Sequence, residues 1–148
     1  MINLNLPVCD LKIRETDHKP EVFDIIRKKY IQLTEEEWVR QHFVHFLIFK
    51  LNYPKTLISL ESGLKYNQLK KRTDIVVYSR SGEPFMVVEC KSPIVKISPN
   101  VFMQAACYNT VLKAGFLVTT NGLVHYCCKI NHEEKTAEFQ QELPGYVI

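Results

Sequence analysis

The sequence predicts an α/β (α+β) fold with a mixed central sheet flanked by helices, and three observations predict it. Two apolar runs, 73–78 and 85–91, are joined by Ser79-Arg80-Ser81-Gly82-Glu83-Pro84, a turn-rich stretch that reads as an antiparallel hairpin. A helix-length segment follows, opened by Ser98-Pro99 as N-cap and first helical residue and stopped at Gly115. A further apolar run, 116–120, then returns to the sheet beyond that helix.

The 148 residues fit one domain with one core, and 46% hydrophobic against 24% charged residues makes disorder the wrong starting point. We read 1–148 as a single domain with its core at about 20–128, an irregular N-terminal segment and a short C-terminal tail. Residues 1–20 carry no clear pattern, and 21–33 read equally as a short helix or an extended segment. The first firm helix starts after Thr34, where Glu37 three places on suggests a capping box. Trp38, Val39, Phe43, Phe46, Leu47 and Phe49 give it a wide apolar face, and Asn52-Tyr53-Pro54 breaks it. A strand at 56–61 precedes the hairpin. Asn121-Gly122 is a type I′ turn signal that would pair 116–120 with 123–128, and the tail has room for one more strand. The order is α-β-β-β-α-β-β.

Composition also limits function. A formal net charge of +3 permits a nucleic-acid partner without requiring one. The five cysteines, Cys9, Cys90, Cys107, Cys127 and Cys128, form no C-x-x-C pair and stand at no zinc-finger offset. They read as reduced, mostly buried thiols of a cytoplasmic protein. In a strand, Cys127 and Cys128 would point to opposite faces. The N-terminus lacks a signal-peptide pattern, and no apolar run approaches a membrane span, so no membrane association is expected. His42, His45 and His125 match no metal-binding spacing and read as core or edge residues.

The chemistry concentrates on the hairpin. Centred between Ser81 and Gly82, its register sets Asp74 directly opposite Glu89. Glu89 and Lys91, two apart, project from the same face. Two carboxylates facing each other at about 5 Å repel by about 3 kcal/mol at an effective dielectric near 20. Lys91 offsets part of this, and a divalent cation would offset more. Carboxylate and carbonyl oxygens suit Mg²⁺ or Mn²⁺, with the Cys90 backbone carbonyl as a further ligand. On the following helix Gln104 and Tyr108, four apart, share a face that its apolar neighbours turn inward. Lys70, Lys71 and Arg72 precede Asp74 and could guide phosphates toward it, with Lys65 and Lys96 nearby; a solvated loop would look the same.

The ordered set Asp74, Glu89-Cys90-Lys91 and Gln104-Ala105-Ala106-Cys107-Tyr108 resembles the D…ExK…QxxxY pattern of the PD-(D/E)xK nuclease superfamily, and the element order resembles its restriction-endonuclease-like core. More narrowly, Glu36-Glu37-Trp38-Val39-Arg40-Gln41, residues 72–78, Val88-Glu89-Cys90-Lys91-Ser92-Pro93, residues 104–109 and Thr120-Asn121-Gly122 look like the N-terminal nuclease domain of type I restriction enzyme R subunits. The resemblance spans roughly residues 20–128. It implies metal-dependent phosphodiester hydrolysis in DNA, with Asp74 and Glu89 as metal ligands, Lys91 as the third catalytic residue and Gln104 and Tyr108 in support. The acid that precedes Asp74 in the family pattern could be Glu37 or Glu61. No phosphate-binding G-x-x-x-x-G-K-[ST] loop is present, so ATP is not an expected ligand. Three arrangements fit: an endonuclease acting alone or as a homodimer, a non-catalytic nucleic-acid-binding module, or a subunit of a larger restriction or repair assembly.

Overall fold

The computed structural model describes residues 1–66 and 69–147; the side chains at 61–73, 104, 107–109 and 111 lie outside that description. Strands β1 (Ile13–Thr16), β2 (Lys19–Asp24) and β3 (Lys29–Gln32) form a small antiparallel sheet. Helix α1 (Glu35–Phe49) and a single 3-10 turn at Lys55–Leu57 follow. Then come β4 (Ile58–Tyr66), β5 (Leu69–Tyr78), β6 (Pro84–Cys90), α2 (Pro99–Leu112), β7 (Phe116–Thr120), β8 (His125–Asn131) and β9 (Thr136–Gln140). The six later strands make one sheet in sequential order, antiparallel throughout except for the parallel pair β6–β7, which α2 connects. A parallel neighbour needs a long crossover, and α2 supplies it.

Alternation along the strands divides the core into two layers. Ile75 and Val77 of β5, Met86, Val88 and Cys90 of β6, Val118 and Cys127 pack with Val39, Phe43, Val44 and Leu47 of α1. Val87 and Leu117 point the other way and pack with Ala105 and Ala114, under Phe102 of α2. The sheet is therefore covered by α1 on one face and α2 on the other. Cys127 lies in the α1 layer, and Cys128, equally buried, is paired with Leu117 across the β7–β8 ladder.

Five expectations are corrected. Residues 1–12 carry no helix or strand, but 13–32 form a sheet rather than irregular chain, and 21–33 is two strand segments around a turn at 25–28. The first turn of this sheet uses Asp17 and His18, both with positive φ (52° and 63°), a primed hairpin without asparagine or glycine. Strand β1 is exposed along its whole length, so it shows no apolar alternation to read. The strand expected at 56–61 runs instead over Ile58–Tyr66 and pairs with a β5 that begins at Leu69. The Asn121-Gly122 connection is longer than a two-residue I′ turn, because only Gly122 has positive φ (85°). Asn121 Oδ1 accepts from the backbone N–H groups of Leu123 and Val124 at 2.9 and 2.8 Å, which delays β8 to His125. Finally, Thr34 caps α1 by accepting from the Glu37 N–H at 3.0 Å, but the Glu37 carboxylate forms buried ion pairs described below; Phe49, placed on the apolar face, is 61% exposed.

Candidate metal and phosphate site on the β5–β6 hairpin

The β5–β6 ladder pairs Ile75 with Val88, Val76 with Val87 and Val77 with Met86 before a bulge at Tyr78 absorbs the five-residue connection. Continuing that register by one step sets Asp74 against Glu89. Burial restricts both groups, which are 7% and 8% exposed. Alternation places Glu89 on the same face as Val87, opposite Cys90. Lys91 begins where β6 ends, and its N–H donates to the Thr120 carbonyl at 2.8 Å. The Lys91 ammonium lies 3.4 Å from Glu89 Oε1. Asp74, Glu89 and Lys91 thus come together as the sequence predicts.

Asp74 is held from two sides. Its Oδ2 accepts the Cys90 N–H at 2.7 Å, and its Oδ1 accepts from Arg40 Nη2 of α1 at 2.6 Å. Each carboxylate oxygen keeps a second lone pair for a further ligand. Glu89 is less well served: its Oε2 is buried with no hydrogen-bond partner among the described residues. Burial, and then the neighbouring Asp74 charge, push the Glu89 carboxyl up to about 8, against the pull of Lys91. Burial also raises the adjacent Cys90 thiol, which keeps it protonated and unreactive.

Further contacts surround this pair. Arg40 Nη1 donates to Glu37 Oε1 at 2.6 Å, and Nη2 also reaches Glu36 Oε1 at 3.3 Å. Burial and the Asp74 charge in turn raise Glu36. Glu37 receives Arg27 at 3.1 Å and Gln41 at 3.3 Å. Arg27 and Gln41 both converge on Asp24 Oδ2, at 2.7 and 3.0 Å. Burial pushes the Asp24 carboxyl up, but the hydrogen bonds from Arg27 and Gln41 outweigh it and hold the group below its ordinary value. On the neighbouring strand, Thr119 pairs with Glu89, and its buried hydroxyl also has no partner among the described residues.

Sequence reasoning missed Arg40, Arg27, Asp24 and Gln41. The signal for Arg40 was present: position 40 lies between Val39 and the apolar positions 43, 44 and 47, so a charged residue there has to be buried and paired. Of the two candidate acids before Asp74, Glu37 reaches it only through Arg40. Glu61 lies inside β4, flanked by the pairs Leu60–Ile75 and Ser62–Thr73, and so is not at a strand end. The side chains of Glu61, Lys65, Lys70, Lys71, Arg72, Gln104 and Tyr108 lie outside the described residues. Among the described residues, no three acidic, histidine or cysteine side chains gather closely enough to hold a metal by themselves. His42 Nδ1 lies 2.8 Å from the Trp38 carbonyl, and His125 bridges Thr120 and Asn5, as core and edge histidines do.

A mixed sheet between two helices, with the acidic pair at the end of its central hairpin, is a restriction-endonuclease-like fold. A solved fragment assigned to the HsdR subunit of a type I restriction enzyme from Vibrio vulnificus YJ016 has this fold, with a TM-score of 0.55 at 19% identity over 76% of this chain. The chain spans only 24% of that fragment's length. Residues 35–144 match the family model described as the type I restriction enzyme R protein N terminus, and the chain belongs to that family. Comparison with curated proteins returns no match. Among the described residues, no helix is long and apolar enough to cross a membrane.

Proposed function

We propose that this chain is a divalent-metal-dependent DNA endonuclease that hydrolyses phosphodiester bonds, in a cytoplasmic setting and in a restriction-related role. The observation that carries the reading is the buried Asp74–Glu89 pair, with Lys91 on Glu89 Oε1 and Glu89 Oε2 without a hydrogen-bond partner among the described residues. Two buried carboxylates paired across the ladder are relieved of their repulsion by a proton on Glu89 or by a shared cation. The residues present fit Mg²⁺ or Mn²⁺: Asp74 and Glu89 would hold it, with the Cys90 carbonyl completing the protein ligands and Gln104, Tyr108 and Glu61 in support. When bound, such an ion lowers the pKa of water and supplies hydroxide at neutral pH.

The chain's own groups do the rest. The Cys90 N–H and Arg40 fix the Asp74 carboxylate in one orientation, so little reorganisation is needed on binding. Lys91, about a quarter exposed, can reach a phosphate oxygen and stabilise the charge that grows on it during attack. Lys70, Lys71 and Arg72 lie on β5 just before Asp74 and would steer the DNA backbone toward it.

Family membership favours a second arrangement, in which the domain works within a larger restriction assembly. A homodimer would serve the same need by cutting both strands. The test is cleavage of supercoiled plasmid with Mg²⁺ or Mn²⁺, beside Asp74→Ala and Lys91→Ala. Nicking that disappears in both variants supports the reading. Cleavage retained by Asp74→Ala sinks it, and absence of both cleavage and ion binding leaves a non-catalytic nucleic-acid-binding module.

A further inference from the structure

Arg40 is where α1 meets the acidic pair. Its side chain is 5% exposed, and its planar fork spans two carboxylates far apart in sequence, Glu37 at 2.6 Å and Asp74 at 2.6 Å. A guanidinium presents donors in fixed directions, so each contact constrains the other. Glu37 is in turn fixed by Arg27 and Gln41, and both of these are fixed by Asp24 at the end of β2. The chain of contacts therefore runs from the N-terminal sheet, through α1, to the first carboxylate of the site. Among the described residues its charges do not balance: Asp24, Glu36, Glu37, Asp74 and Glu89 face Arg27, Arg40 and Lys91, an excess of two negative charges when all are ionised.

We propose that Arg40 is the positioning residue for Asp74 and its resident counter-cation, anchored to the N-terminal sheet through Glu37, Arg27, Gln41 and Asp24. Its metal-linked consequence rests on the nuclease reading above; its grip on Asp74 does not. Arg40 fixes where Asp74 points and balances its charge, as Lys91 does for Glu89. The same positive charge opposes a second cation, so the site trades some metal affinity for a preset geometry. This trade separates positioning from simple structural support, because loss of Arg40 should tighten metal binding while slowing the reaction.

The first measurement is urea unfolding, in the presence of a chelator, of the wild type, Arg40→Met, Asp74→Asn and the double variant. If Arg40 holds Asp74, the two losses are not additive, and the coupling changes the unfolding constant by at least about tenfold. Additive losses overturn the proposal. The second is calorimetric titration with Mn²⁺ alone, followed by plasmid nicking at saturating Mn²⁺. Arg40→Met should bind Mn²⁺ at least about threefold more tightly yet nick at least about tenfold more slowly, with part of the rate recovered in Arg40→Lys. Weaker Mn²⁺ binding in step with lost stability marks a structural prop and overturns the proposal.

If Arg40→Met does not fold, Arg40→Lys decides. It keeps the charge without the fork, so Mn²⁺ affinity should stay within about twofold while nicking slows. A parallel loss of both again overturns the proposal. A wild type that neither binds Mn²⁺ nor nicks DNA sinks the nuclease reading instead, and the unfolding cycle still decides whether Arg40 holds Asp74.

Discussion

Replacing Glu89 by glutamine should make the metal-free protein more stable, and the gain should grow with pH. Glutamine keeps the shape of the side chain and removes a carboxylate that the fold buries beside Asp74. The Glu89 carboxyl is raised from an ordinary 4.5 to about 8, chiefly by burial and then by the Asp74 charge. Below 4.5 the group is neutral in both folded and unfolded chains and adds nothing. Between 4.5 and about 8 the unfolded chain releases a proton that the folded chain retains, so stability falls as pH rises; above 8 the penalty is constant. Each tenfold step in acidity is worth about 1.4 kcal/mol, which sets a ceiling of about 5 kcal/mol on the total. Relaxation around the charge brings the expected value to about 2 kcal/mol or more. The assay is urea unfolding of wild type and Glu89→Gln at about pH 5 and about pH 8.5, with chelator. Wild type should lose more stability than the variant between the two, the difference being the Glu89 contribution, and Mg²⁺ should restore the wild type more than the variant. Parallel behaviour of the two proteins across that range would refute the argument from burial.

Three other outcomes are expected. Asp24 has its carboxyl held below the ordinary value, so its contribution is complete above 3.8 and is lost as pH falls through the lower folded value; Asp24→Asn should therefore flatten the acid limb of unfolding. Gly122→Ala should cost about 1–3 kcal/mol, because the new Cβ would stand 2.7 Å from Leu4 and 3.1 Å from Val39 at a φ of +85°; a melting temperature equal to wild type would contradict this. Neutralising Lys70, Lys71 and Arg72 together should weaken DNA binding and lower the slope of log affinity against log salt by about 3, and an unchanged slope would place them away from the phosphates.

The central layer was legible in the sequence because its signals are local. The apolar runs flanking 79–84 and the Ser98-Pro99 start and Gly115 stop of α2 each act over a few residues, and the hairpin register follows from its length. That register was enough to bring Asp74 and Glu89 together. The N-terminal sheet was not legible, because β1 is exposed throughout and its turn is made by Asp17 and His18 rather than by the Asn-Gly or Gly-containing pair that marks a hairpin in sequence. The burial of Arg40 was legible from its helix position, but its partner was not. Asp74 lies 34 positions away, and no local rule links a helix arginine to a carboxylate two strands later. Glu37 shows how a correct local signal can mislead: the cap it predicted is present, yet its carboxylate is used elsewhere.

The neighbouring thiols of β8 give the molecule two reporters one residue apart. Cys127 is sealed beneath α1, while Cys128 is turned to the opposite side of the sheet beside Leu117. An alkylating pulse can reach the first only when α1 lifts, and the second only when the other side opens. Fragmentation of the single peptide that carries both would then show which helical cover leaves the sheet first, and whether DNA or a divalent ion keeps one of them shut.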